Sequence, residues 1–186
     1  DAGVDAVVAE GFEAGGHNGR EETTTLALIP SVKEKLNVPL IAAGGIATGE
    51  AMLATMILGA DAVQVGSRFV ASNEASSHIN FKNSVVEAGE GATKLTLKEI
   101  TPVRLLKNAF FDKIESAYER DAPLDEIKEI LGRARAKKGM FEGDMEEGEL
   151  EIGQVASLIH DIKPAAQIVA DMMQEFEKAK KKVTQL

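Results

Sequence analysis

The residues best placed to do chemistry stand behind short apolar runs that each stop at a glycine. Gly44-Gly45-Ile46 follows VPLIAA, and Gly66-Ser67 follows DAVQV. Glycines just past strand ends leave backbone N–H groups open to an anion that a Cβ would hold off. A helix starting near Gly49 adds the positive end of its dipole. Two such turns side by side can hold one phosphate; the same glycines also suit plain tight turns and close helix–sheet contacts. His17 follows Gly15-Gly16 after the first run and stands on the same rim. Its imidazole changes charge near neutral pH, as an acid or base must, although a lone loop histidine also serves as an ordinary polar surface residue. His78 and His160 fall outside this rim, and the spacing of the histidines does not resemble a metal site.

The elements that must position these residues read as strand, helix, strand, helix, strand. Segments 4–10, 38–43 and 62–65 are short and Val/Ala-rich, the pattern of strands buried on both faces. Between the first two, TTTLALIPSVKEKL carries Leu26, Ile29, Val32 and Leu36 at helical spacing, with Pro30 expected in the first turn. Thr48 is expected to cap a second helix that runs through Met52, Met56 and Leu58 and ends at Gly59. This alternation predicts an α/β fold with a parallel sheet and right-handed crossovers. Three strands alone leave two open edges, and a closed (β/α)8 TIM barrel takes about 250 residues. The chain also lacks an initiating Met and enters a strand almost at once, so it reads as the later part of a larger barrel.

On that reading, residues 1–71 are later βα units and residues 72–186 form a mainly helical carboxyl-terminal region packed on them. Helices are expected at 81–88, 103–118, 124–136 and 164–182, the last presenting Ile168, Met172, Phe176 and Ala179 to the main body. EGDMEEGELEIG lacks the alternating pattern of a calcium loop and reads as solvated. Arg104 and Lys107-Asn108 can meet an acidic substrate, but charges on a helix usually face solvent.

Composition removes several classes. With no cysteine among 186 residues there is no disulfide framework, no cysteine-bound metal and no thiol nucleophile. A net charge of -9, with 30 Asp plus Glu against 21 Lys plus Arg, works against nucleic acid and anionic membranes. Aromatic residues make up 4% and Trp is absent, which leaves little surface for stacking on bases. KAKKKV is a short basic tail that suits the negative end of a helix dipole. No apolar run approaches the roughly 20 residues of a membrane span, and the first residues lack a basic secretory start, so a cytoplasmic location is expected.

Taken in order, AEGFEAGGHNG, VPLIAAGGIATG, LGADAVQVGSRF, ASNEASSHINFK, PVRLLKN and GDMEEGELEIGQVASLI closely resemble the nitronate monooxygenases and the FMN-dependent enoyl-acyl-carrier-protein reductases. The resemblance runs essentially end to end and implies an FMN-binding TIM barrel. It implies that the flavin phosphate rests on Gly44-Gly45 and Gly66-Ser67, that Gly16 and Gln64 lie near the flavin, and that His17 is the active-site histidine. Two chemistries share this scaffold. A nitronate monooxygenase oxidises an alkyl nitronate with FMN and dioxygen. An enoyl reductase needs NADH and an acyl-carrier-protein partner. A third reading is an inactive barrel fragment whose open edges favour aggregation or homo-oligomers.

Overall fold

A computed structural model describes residues 3–185. Strands β1 (Val7–Glu10), β3 (Leu40–Ala43) and β4 (Ala62–Gln64) form a parallel sheet in the order β1-β3-β4. Val7 lies opposite Leu40, and Ala42 opposite Val63. Helices α1 (Thr25–Lys33) and α2 (Gly49–Ile57) are the crossovers. This is the βαβαβ run of a (β/α)8 barrel, with the sheet three-stranded and open among the described residues. Its carboxyl rim carries the glycine turns.

Thr48 caps α2 as expected, its hydroxyl accepting from the Ala51 N–H at 3.2 Å. Pro30 differs from expectation. It falls in the second turn of α1, where it cannot donate to the Leu26 carbonyl. Leu26 is 65% exposed, so water can take that carbonyl, and the helix ends soon after at Lys33.

The region read as mainly helical also contains a sheet. Segment 103–118 is not one helix but strand β6 (Val103–Leu106) followed by α5 (Ala109–Glu119). A two-residue β2 (Gly16–His17) and β5 (Thr93–Thr96) flank β6 in an antiparallel sheet of order β2-β6-β5. All four residues of β6 are buried, so no period-two pattern separates it from a helix. Asn108 starts α5 rather than lying on it, accepting from the Phe111 N–H and donating to the Met145 and Gly148 carbonyls. GELEIG is not a solvated loop. Leu150 and Ile152 are core residues, and the Leu106 N–H donates to the Leu150 carbonyl.

Helix α3 (Ser67–Val70) follows β4, and α4 (Ile79–Val86), α6 (Leu124–Leu131, shorter than the expected 124–136) and α7 (Ala165–Val183) complete the carboxyl-terminal region. As expected, α7 packs back on the parallel sheet. Ile168 and Met172 share one core with Ile29, Leu40, Ala42 and Ile46. Gly49 is the point of closest approach. A Cβ there would fall 2.2 Å from both the Met172 carbonyl oxygen and the Phe176 nitrogen. Gly49→Ala is therefore expected to lower stability by about 1–3 kcal/mol through overpacking. Thermal denaturation measures it, and an unchanged melting temperature would show that α2 and α7 do not meet there.

Candidate functional site

The parallel register sets the carboxyl ends of β3 and β4 side by side, so their two turns converge. Gly44, Gly45, Gln64, Gly66 and Ser67 line one cleft of about 190 Å³. Gly44 and Gly45 have φ of 83° and 72°, and a Cβ on Gly44 would lie 2.7 Å from the Gly11 carbonyl oxygen. The fold itself demands glycine there. Gly66 is different, because its φ is an ordinary -102° and a Cβ there would meet nothing within 4 Å. A side chain there would enter open space. Among the described residues, the N–H groups of Gly45, Ile46 and Gly66 donate to no backbone carbonyl.

The first N–H of α2 already has a partner. The Gly49 N–H donates to Glu175 Oε2 at 2.8 Å, so a carboxylate from α7 already closes that helix end. An anion in the cleft is left with the N–H groups of the turns. Ser67 Oγ accepts from the Gly153 N–H at 3.0 Å, and the Gln154 N–H donates to the Glu13 carbonyl at 2.9 Å. Those bonds fold Glu151, Ile152 and Val155 over the cleft as its far wall. Sequence reasoning missed this wall, although ELEI in GELEIG alternates polar and apolar residues and so carried a strand-like signal.

Three carboxylates also border the cleft, from Glu10, Glu13 and Glu151. Glu13 is committed to α1, accepting from the Thr25 N–H and hydroxyl at 3.0 and 2.9 Å. Burial pushes the Glu10 carboxyl up. Burial and the Glu151 charge push the Glu149 carboxyl up too, while His17 pulls it the other way.

Gly16 and His17 do not line the cleft. Gly15 faces it instead, and a Cβ on Gly16 would meet the Glu151 carboxylate at 2.5 Å. His17 is exposed on β2, paired with Val103. Asn18, Gly19 and Glu10 border a second hollow of about 220 Å³. The two hollows share Glu10, and His17 lines neither. The loop carrying it is fixed by Arg104, which is no solvent-facing helix charge. Arg104 is 2% exposed on β6, donates to the Phe12 carbonyl at 2.8 Å and lies 4.5 Å from the Phe12 ring centroid. Lys107 is exposed. Among the described residues no group of His, Asp and Glu is arranged to hold a metal ion, and no helix is long and apolar enough to cross a membrane.

The profile of the nitronate monooxygenase family matches residues 1–175. The chain belongs to the nitronate monooxygenase family. A probable nitronate monooxygenase of Staphylococcus saprophyticus is 33% identical over 178 residues, covering 90% of this chain and 50% of the relative. Among solved structures, FabK from Thermotoga maritima is 43% identical with a TM-score of 0.90, covering 98% of this chain and 58% of that one. Nitroalkane oxidase from Streptomyces ansochromogenes is 30% identical with a TM-score of 0.77, covering 98% of this chain and 54% of that one. The chain spans about half the length of the curated family members it matches.

Proposed function

We propose that this chain supplies the phosphate-binding rim of an FMN-dependent oxidoreductase, a nitronate monooxygenase that oxidises alkyl nitronates with dioxygen. The observation that carries this reading is the convergence of the Gly44-Gly45 and Gly66-Ser67 turns on one cleft, with N–H groups free and open space at Gly66. An FMN phosphate fits that donor set, since neutral N–H groups at glycine turns are a recurrent anion cradle. Bound FMN supplies the electron acceptor that side chains lack. Gln64 borders the flavin beside the turns. His17 takes the carbon-bound proton when the neutral nitroalkane, rather than the nitronate, is the substrate.

The phosphate assignment is tested by Gly66→Val. Its Cβ enters open space, so folding is retained, while FMN affinity is expected to fall by at least about tenfold. Unchanged affinity in a fluorescence titration would remove the turn from the site.

The 43% identity with FabK favours a second reading, an NADH-dependent enoyl reductase acting with acyl carrier protein as partner. Anaerobic mixing of the FMN-loaded protein with NADH separates the two. Bleaching of the flavin by a nitronate but not by NADH supports the monooxygenase, and fast bleaching by NADH supports the reductase. Both readings place the enzyme in the cytoplasm, where small metabolites and nicotinamides are available.

A further inference from the structure

Helix α7 packs on α2 and α3, the helices that follow the two cradle turns, and the proposed flavin chemistry makes no use of those contacts. At one end, Glu175 Oε2 accepts from the Gly49 N–H at 2.8 Å, four residues after Gly45, and the α7 backbone lies against Gly49 itself. At the other end, Arg68 follows Ser67 directly and is 9% exposed. Its Nη2 donates to Asp161 Oδ1 at 2.5 Å and its Nη1 to the Asp161 carbonyl at 3.0 Å. Lys163 then joins Asp161 at 3.0 Å to Asp171 of α7 at 2.9 Å. The segment that carries Asp161 and Lys163 is also bonded to the chain just after α3, where the Asn73 N–H donates to the Lys163 carbonyl.

Exposed ion pairs add little, but Arg68 is buried and grips one residue with two donors, which fixes direction as well as distance. We propose that α7 and the strap before it position the phosphate cradle. Glu175 holds the Gly44-Gly45 side and Asp161, through Arg68, holds the Gly66-Ser67 side, so that the helix and the strap together set the spacing of the two turns. The inference rests on the phosphate reading of the cleft. A carboxylate on the Gly49 N–H offsets part of the α2 dipole, so the anion depends more on the turn N–H groups. Such hydrogen bonds weaken steeply outside about 2.7–3.2 Å, so a shift of one turn against the other loses contacts on one side.

The test compares FMN with riboflavin, which has the same ring and ribityl chain without the phosphate. Dissociation constants for both are measured by fluorescence on the flavin-free protein, for wild type, Glu175→Ala and Asp161→Ala, which remove the side-chain acceptors of Gly49 and Arg68. Each variant is expected to bind FMN about tenfold more weakly while riboflavin binding stays within about twofold of wild type. Parallel weakening of both ligands would make α7 a general support of the fold and overturn the proposal. Unchanged FMN binding in both variants, or tighter FMN binding in Glu175→Ala, would overturn it as well. If wild type binds FMN and riboflavin alike, the phosphate reading itself fails and the positioning role falls with it; a wild type that prefers FMN while the variants keep that preference refutes the positioning role alone.

Discussion

His17→Ala is expected to lower turnover of a neutral nitroalkane by about 10²- to 10⁴-fold, the usual contribution of a positioned acid or base, with FMN binding unchanged. The separation follows from where His17 stands. It lines neither hollow, its side chain makes no hydrogen bond among the described residues, and β2 is held through backbone pairing and through Arg104. Truncating an exposed side chain of that kind changes stability by about 0.5 kcal/mol or less. Steady-state rates with a nitroalkane and with its preformed nitronate isolate the proton step, because the nitronate has already lost the proton. The deficit is expected with the nitroalkane and largely absent with the nitronate. Equal deficits with both would assign His17 to substrate positioning, and normal turnover of the nitroalkane would remove it from the mechanism.

What was legible in the sequence is what local pattern encodes. The parallel strands announced themselves as short Val/Ala runs ending in glycine, although only β3 has the expected burial on both faces: Val8 of β1 is 47% exposed, and Ala62 and Gln64 of β4 are exposed. Parallel register then made the Gly44-Gly45 and Gly66-Ser67 turns neighbours, and Gln64 with them. Thr48 and the Ile168/Met172 face of α7 were readable for the same reason, one residue type at one period. The rest depended on contacts between distant residues. Two residues of β2 contain no period, and VRLL in β6 is buried throughout, so its register with Thr93–Thr96 was invisible. The acids of EGDMEEGELEIG masked the alternation that buries Leu150 and Ile152. Glu175 meets Gly49 across 126 positions, a pairing that only the packing of α7 on α2 creates.

Arg104→Met is expected to lower both stability and cofactor affinity, in contrast to His17→Ala. Methionine approximates the length of the arginine stem and fills the same space, so the loss comes from the guanidinium. It gives up its bonds to the Phe12 carbonyl and its place over the Phe12 ring. A buried acceptor left without a donor costs about 1–3 kcal/mol, and the ring contact adds about 0.5–2 kcal/mol. Against this stands the relief of removing a cation from a site where burial already pushes its pKa down, opposed only by Glu13 and Glu22. The net expectation is a loss of about 1–3 kcal/mol, read as a lower melting temperature. Phe12 leads directly into Glu13, Ala14 and Gly15 on the cleft wall and then into His17, so a loosened Phe12 disturbs the cleft and the histidine together. FMN affinity and turnover should therefore fall in concert. A melting temperature equal to or above that of wild type would show that desolvation of the guanidinium outweighs its bonds, and that β2 pairing and the bonds of Phe12 and Glu13 to Thr23, Thr25 and Gln154 suffice to hold the loop.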